Sequence, residues 1–112
     1  MGVVAKRIGR VLVVHLDGEL DLHTAEPFKE AVAEALAQDR SLRHLVVTMN
    51  RVTFMDSSGV GALLGRYREI AERGGRLALV GLQLPVKRVF ELSGMSGIIS
   101  VYDSEGQALA SF

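Results

Sequence analysis

Short runs rich in β-branched residues alternate with helical patterns along this chain of 112 residues, and this alternation constrains its fold more than any other feature. Residues 11–16, 44–49 and 77–80 are typical of buried strands, because apolar residues crowd into each of them. The segments between them carry apolar residues at helical spacing. Strands that alternate with helices predict one α/β domain over residues 1–112, with crossover helices between parallel strands.

The first half of the chain predicts a hairpin and then a helix. Val3 and Val4 are expected to pair antiparallel with the strand at 11–16, which the turn pair Asp17–Gly18 would end, so that the sheet is mixed. Thr24 is expected to cap the following helix, with Glu26 and Pro27 in its first turn. The apolar face of this helix is predicted to comprise Ala25, Phe28, Val32, Ala35 and Leu36.

The second half predicts three further helices and a last strand. One helix should begin at about Ser57 and end at the glycine pair 74–75, because glycine readily adopts positive φ there. Pro85 opens a short helix, and residues 98–102 form the last strand. Residues 104–107 have capping-box spacing, so a terminal helix is expected to pack on the sheet. The predicted core face of the second helix is Val60, Leu63, Leu64, Tyr67, Ile70 and Ala71.

Composition excludes several classes of protein. Thirteen basic residues balance thirteen acidic ones, for a formal net charge of +0, whereas nucleic-acid and membrane binders usually carry a basic surface. Cysteine is absent, which excludes disulfides and thiol chemistry and fits a cytoplasmic protein. No apolar run approaches the roughly 20 residues that cross a bilayer. We therefore expect no direct nucleic-acid or membrane partner.

Residues 54–67 carry the chemistry of the chain, because Asp56, Ser57 and Ser58 lie where a strand meets a helix N-terminus. Such residues are most often helix caps, but the free N–H groups and the helix dipole also favour an anion there. A nucleophilic enzyme would need a histidine in reach of Ser57 and a G-x-S-x-G turn, and Met55 replaces the first glycine of that turn. A nucleotide hydrolase would need a P-loop lysine, which the segment lacks. The histidines are His15, His23 and His44, whose spacing does not indicate a zinc site.

Three glycines follow the serine pair, at positions 59, 61 and 65. Each weakens a helix by about 0.5–1 kcal/mol relative to alanine, so their presence indicates that another backbone comes close to this face. That backbone belongs either to the sheet or to a partner protein. Farther along the same helix, Arg66 and Arg68 are expected to lie on a solvated face.

Residues 54–67 closely resemble the phosphorylation-site segment of the sporulation-type anti-sigma factor antagonists, which are members of the STAS domain family. Residues 16–26 resemble the first functional loop of that family, and residues 86–94 resemble its third helix. The three segments follow the order and spacing of the family over nearly the whole chain. The resemblance implies a single STAS domain with a mixed four- to five-stranded sheet flanked by about four helices.

The resemblance also implies the site residues. Ser57 matches the phosphorylated position, and Asp21 and Thr24 match the loop beside it, although Leu22 departs from the more polar residue of some relatives. Asp56 is assigned as a cap and orienting residue. The partner-binding residues implied in this way are Asp21, Thr24, Asp56, Ser57, Ser58, Gly59 and Gly61.

The function implied by the resemblance is that of a switch without catalytic residues, metal or cofactor. The unphosphorylated protein would bind an anti-sigma factor that is also a serine kinase, and so free the sigma factor. Phosphorylation of Ser57 would end binding, and a PP2C-type phosphatase would reverse it. The free protein is expected to be a monomer. A STAS regulator of a general-stress pathway, a nucleotide-binding STAS module and an autonomous hydrolase are the alternatives.

Overall fold

The computed structural model describes residues 2–112, which form a five-stranded mixed sheet with helices on both faces. The strands lie side by side in chain order. The first two are antiparallel and the rest are parallel, as the alternating sequence pattern predicts. In chain order the elements are β1 Gly2–Ile8, β2 Val11–Leu20, α1 Leu22–Gln38, β3 His44–Met55, α2 Ser57–Glu72, β4 Leu77–Val80, α3 Leu84–Leu92, a one-turn 3₁₀ helix Met95–Gly97, β5 Ser100–Tyr102 and α4 Glu105–Ala110.

The two faces of the sheet are covered unequally. Alternate residues of each strand point to opposite faces, so that Leu12 and Val14 belong to the larger core with α1, α2 and α3. Val11 and Val13 instead belong to a smaller core beneath α4. The predicted apolar face of α1 is confirmed, since all five of its members are buried. In α2, Leu63 and Ile70 are buried as expected, whereas Ala71 is exposed.

Both long strands run farther than the sequence predicts. β2 does not end at Asp17–Gly18 but continues to Leu20, and the ladder to β3 contains two register shifts at this point. The expected turn pair instead forms part of an irregular strand, in which Gly18 has a φ of 114°. β3 continues past the predicted end at Met49 as far as Met55, and only Asp56 separates it from α2. The last strand is shorter than predicted and begins at Ser100.

Some of the expectations about the helix ends and surfaces are wrong. The N-cap of α1 is Asp21 rather than Thr24, so Pro27 lies inside the helix instead of in its first turn. The end of α2 is as predicted, with Gly74 at a φ of 75° directly after the C-cap Arg73. Arg66 was expected on a solvated face, but its side chain is only 12% exposed and its Nε lies 3.1 Å from Glu69 Oε1.

Within residues 2–112, no helix is both long and apolar enough to cross a membrane.

Candidate functional site

The N-termini of α1 and α2 meet at the carboxyl ends of β2 and β3. Leu20 is the register partner of Met55, so the caps that follow them, Asp21 and Asp56, leave the sheet side by side. The backbone N–H of Asp56 donates to the carbonyl oxygen of Leu20 at 3.4 Å, which joins the two strand ends directly. We call the region formed by Asp21, Asp56 and the first turns of α1 and α2 the helix-end site. Ligands gather at such places in open α/β sheets.

Asp56 caps α2 and leaves the neighbouring serine at the surface. Its Oδ1 accepts hydrogen bonds from the backbone N–H groups of Ser58 at 2.9 Å and Gly59 at 3.2 Å. Ser57 is the first residue of the helix and is exposed, whereas Ser58 is partly buried. Of the two adjacent hydroxyl-bearing residues, the structure therefore presents Ser57 more openly to another molecule.

Asp21 and Thr24 form a reciprocal capping box at the start of α1. Asp21 Oδ1 accepts from the N–H groups of His23 and Thr24, and Asp21 N–H donates to Thr24 Oγ1 at 2.9 Å. The Thr24 hydroxyl also donates to the carbonyl oxygen of Glu19 at 2.6 Å. Both side chains are thus engaged in hydrogen bonds within the chain, which fix the start of α1.

The hydrogen bonds of this capping box affect the pKa of Asp21. Burial raises the pKa of its carboxyl, but hydrogen bonds from Thr24 and His23 together with the charge of His23 outweigh that effect and hold the pKa below 3.8. The carboxylate is therefore ionised at neutral pH, as its capping role requires.

The three glycines of α2 have different surroundings. A Cβ atom at Gly59 would lie 2.5 Å from the carbonyl oxygen of Leu20 and 2.7 Å from Met55 Cγ, so the sheet is the backbone that approaches there. At Gly61 and Gly65, a Cβ atom would meet nothing within 4 Å. The prediction of a close approach is thus confirmed within the chain for Gly59 alone.

Two exposed apolar side chains flank the helix-end site, and neither was singled out as a contact residue from the sequence. Leu22, the first residue of α1, is 71% exposed, and Phe54, two residues before Asp56, is 46% exposed. Leu22 lies three residues before the buried Ala25 and so fits the helical spacing of the buried face of α1, which means that the periodic pattern gives no signal of its exposure.

The three histidines lie apart. His15 is 2.6 Å from Thr48 Oγ1, His44 accepts a hydrogen bond from the backbone N–H of Arg76, and His23 is exposed on α1. Within the part of the chain that the structure describes, no three His, Asp or Glu side chains are grouped as metal ligands would be.

A groove of about 570 Å³ lies elsewhere, between α3 and β5. Its lining includes Lys87, Phe90, Ile98 and Val101, and none of its lining residues belongs to the helix-end site.

The chain is similar in sequence and in fold to known anti-sigma factor antagonists. The profile of the STAS domain family matches residues 2–108. The anti-sigma F factor antagonist of Paenibacillus polymyxa is 42% identical over 99 residues, which cover 88% of this chain and 84% of that protein. The anti-sigma-B factor antagonist of Listeria monocytogenes is 33% identical over 97 residues, 83% of each chain.

A solved structure extends this likeness to three dimensions. The anti-sigma factor antagonist SpoIIAA in its unphosphorylated form superimposes with a TM-score of 0.83 at 32% identity, covering 96% of this chain and 93% of that one. The chain belongs to the STAS domain family. Its similarity over most of its length is to the anti-sigma factor antagonists, which confirms both the resemblance and the fold class expected from the sequence.

Proposed function

We propose that this chain is an anti-sigma factor antagonist that binds an anti-sigma factor through the helix-end site and is switched off by phosphorylation of Ser57. The anti-sigma factor would itself be the serine kinase, and a PP2C-type phosphatase would restore the binding form. The chain acts here as a substrate and a switch, not as a catalyst. The observation that carries the proposal is the exposed Ser57 at the first position of α2, beside a cap that holds the next two N–H groups.

The position of Ser57 suits a switch that changes binding more than folding. A phosphate adds about −1.5 to −2 charges, and at a helix N-terminus the dipole stabilises that charge by about 0.3–1 kcal/mol. The modified side chain would point away from the core into the space of a docked partner. The domain should therefore stay folded while the partner's affinity falls.

The net charge of the protein and the carboxylates near Ser57 support the same switching mechanism. The protein has a formal net charge of +0, so one phosphate changes its total charge to about −2. Three carboxylates already lie at this end of the molecule, on Glu19, Asp21 and Asp56. The new charges would concentrate at one surface, where each 1.4 kcal/mol of repulsion weakens binding about tenfold.

The exposed apolar side chains and the open glycines fit a protein contact at the same place. Leu22 and Phe54 offer apolar area beside Ser57, and Gly61 has free space above its Cα that a partner backbone would fill. We assign these three residues to the docking surface together with the residues of the two caps.

The experiment is phosphorylation by purified anti-sigma kinases with Mg-ATP, read by intact mass and peptide mapping. We expect one phosphate on the parent protein, none on Ser57→Ala, and one on the matched control Ser58→Ala. Ser57→Ala should still bind the anti-sigma factor, and Ser57→Asp should bind it more weakly. Stoichiometric phosphate on Ser57→Ala, located at Ser58, would contradict the assignment.

The sigma factor under control has two candidates, since relatives of both the F and the B type are similar to this chain. The higher identity to the F-type antagonist favours a sporulation partner. Parallel reactions with an F-type and a B-type anti-sigma kinase separate the two, and exclusive phosphorylation by the B-type kinase would establish the general-stress alternative.

A further inference from the structure

Helix α4 covers the smaller core, on the face of the sheet opposite α1, α2 and α3, and it lies between two histidines. We call this face the back of the sheet. Near its N-terminus, Glu105 Oε1 lies 3.3 Å from His15 Nε2 on β2. Just past its C-terminus, the ring of Phe112 stacks on the ring of His44, the first residue of β3, with a centroid distance of 4.4 Å and an interplanar angle of 3°. Both ends of the helix therefore contact a histidine side chain.

The hydrogen bonding of His44 requires a neutral ring. The backbone N–H of Arg76 donates to His44 Nδ1 at 3.0 Å, so this nitrogen must carry a lone pair and the ring proton must be on Nε2. An imidazolium carries a proton on both nitrogens. Protonation would therefore replace this hydrogen bond by two N–H groups that face each other.

Two arginines are the charged groups that act on the pKa of His44. Arg43 precedes His44 in the chain, and Arg76 lies beside it just before β4. The backbone N–H of His44 donates to the carbonyl oxygen of Arg10 in the β1–β2 turn. Burial lowers the pKa of His44 below 6.5, and the charges of Arg76 and Arg43 lower it further. From the α4 side, Phe112 contributes its ring and Ser111 a carbonyl oxygen, which accepts from Arg76 Nη2 at 2.6 Å.

Arg76 links the ring of His44 to the end of α4 in a second way. Its guanidinium carbon lies 5.4 Å from the centroid of the Phe112 ring, while its backbone N–H holds His44. A charge on His44 would repel this guanidinium and so weaken the contact of Arg76 with Ser111.

We propose that α4 and the two residues after it form a pH-sensitive cap on the back of the sheet, which is closed at neutral pH and opens when His44 takes up a proton. Opening would begin at Phe112, because the other end of α4 is held through Glu105, whose carboxylate oxygens lie 3.3 Å from His15 Nε2 and 3.4 Å from Lys6 Nζ. The surface uncovered would be the smaller core, formed by Val11, Val13, Val46, Ala78 and Val80.

The direction of the effect follows from linkage. Opening removes the burial that the Phe112 ring imposes on His44, so the pKa of His44 is higher in the open form than in the closed form, and protons favour the open form. The opening constant should therefore rise as pH falls through the range in which His44 takes up its proton, by at most tenfold per pH unit for a single group.

A single buried thiol measures this opening. The chain has no cysteine, and Ala108 on α4 is fully buried, so Ala108→Cys reports access to the cap. The rate of labelling by 4,4′-dithiodipyridine, divided by that of an unstructured reference thiol, should rise between about pH 7.5 and 5. With His44→Gln, which keeps an acceptor but does not titrate, the ratio should stay flat. With His23→Gln, an exposed control on α1, it should rise as in the parent.

Hydrogen exchange of the unsubstituted sequence provides a second readout that does not depend on the cysteine. After correction for intrinsic exchange rates, the amides of Ala108 and Ser111 should lose protection at low pH while those of β3 keep it. A flat labelling ratio in the parent, an equal rise in His44→Gln, or a parallel loss of protection in β3 would each overturn the proposal.

Discussion

Gly59 and Gly61 provide a matched test of how α2 is held against the strand ends. Both lie in α2, two residues apart, and substitution by alanine adds the same methyl group to each. At Gly59 the added Cβ would lie 2.5 Å from the Leu20 carbonyl oxygen and 2.7 Å from Met55 Cγ, whereas at Gly61 it would meet nothing within 4 Å. The two variants therefore differ mainly in packing.

The expected magnitudes follow from that difference. Alanine favours a helix over glycine by about 0.5–1 kcal/mol, so Gly61→Ala should stabilise the domain by that amount. Gly59→Ala has the same gain but forces apart a packed region, which costs about 1–3 kcal/mol. The nearest atom is a backbone oxygen that also accepts the N–H of Asp56, so it cannot move aside as a flexible side chain would. Gly59→Ala should thus be about 1–3 kcal/mol less stable than Gly61→Ala.

Urea unfolding of the two variants and the parent measures this difference, provided that the three denaturant slopes agree. Amide shifts give a second readout, because α2 must move away from Leu20 in Gly59→Ala, which should shift the signals of residues 56–58. Equal stability of the two variants would refute the close approach at Gly59. In binding to the anti-sigma factor, Gly61→Ala should show the larger direct loss if a partner backbone occupies the space above it.

The remaining predictions concern helix caps and ionisation. Asp56→Ala should lower the free energy of unfolding by about 1 kcal/mol in urea titrations, whereas Asp56→Asn, which also caps, should lose much less. Hydrogen bonds from Thr24 and His23 keep the pKa of Asp21 below 3.8, so the stability that Asp21 contributes should be complete above that pH and lost as pH falls through its folded-state pKa. Asp21→Asn should show a smaller acid loss when urea midpoints at about pH 5 and pH 3 are compared. Ser104→Ala removes the acceptor for the Gln107 N–H and should reduce exchange protection in α4 while β3 stays unchanged.

The parts of the fold that follow from a single periodic pattern were predictable from sequence. The buried face of α1 repeats at helical spacing, and the structure buries all five predicted residues. The exact start of that helix was not predictable, because Asp21 and Thr24 are both good capping residues. In the structure each has a place in the same box, with Asp21 as the N-cap and Thr24 three residues later.

In the helix-end site too, some features were predictable from the local sequence and others were not. The short sequence pattern at 56–58 located the cap and the exposed hydroxyl, since both depend on neighbours in the chain. The approach of Leu20 to Gly59 and the exposure of Phe54 depend on how β2 aligns with β3. That alignment is a long-range property, and local patterns in one sequence do not encode it.

The register between β2 and β3 explains why the helix-end site needs an irregular ladder. Between the pairs His15–Thr48 and Leu20–Met55, β3 uses two more residues than β2, through the two register shifts. One extra residue alone would turn the following side chains of β3 to the opposite face of the sheet, and a second one turns them back. Leu20 and Met55 consequently both reach the core, at 0% and 2% exposure, and the caps that follow them emerge at the same edge. A change that removed only one of the two shifts would expose Met55 and separate Asp56 from Leu20, so the geometry around Ser57 depends on residues of β2 and β3 several positions away from it.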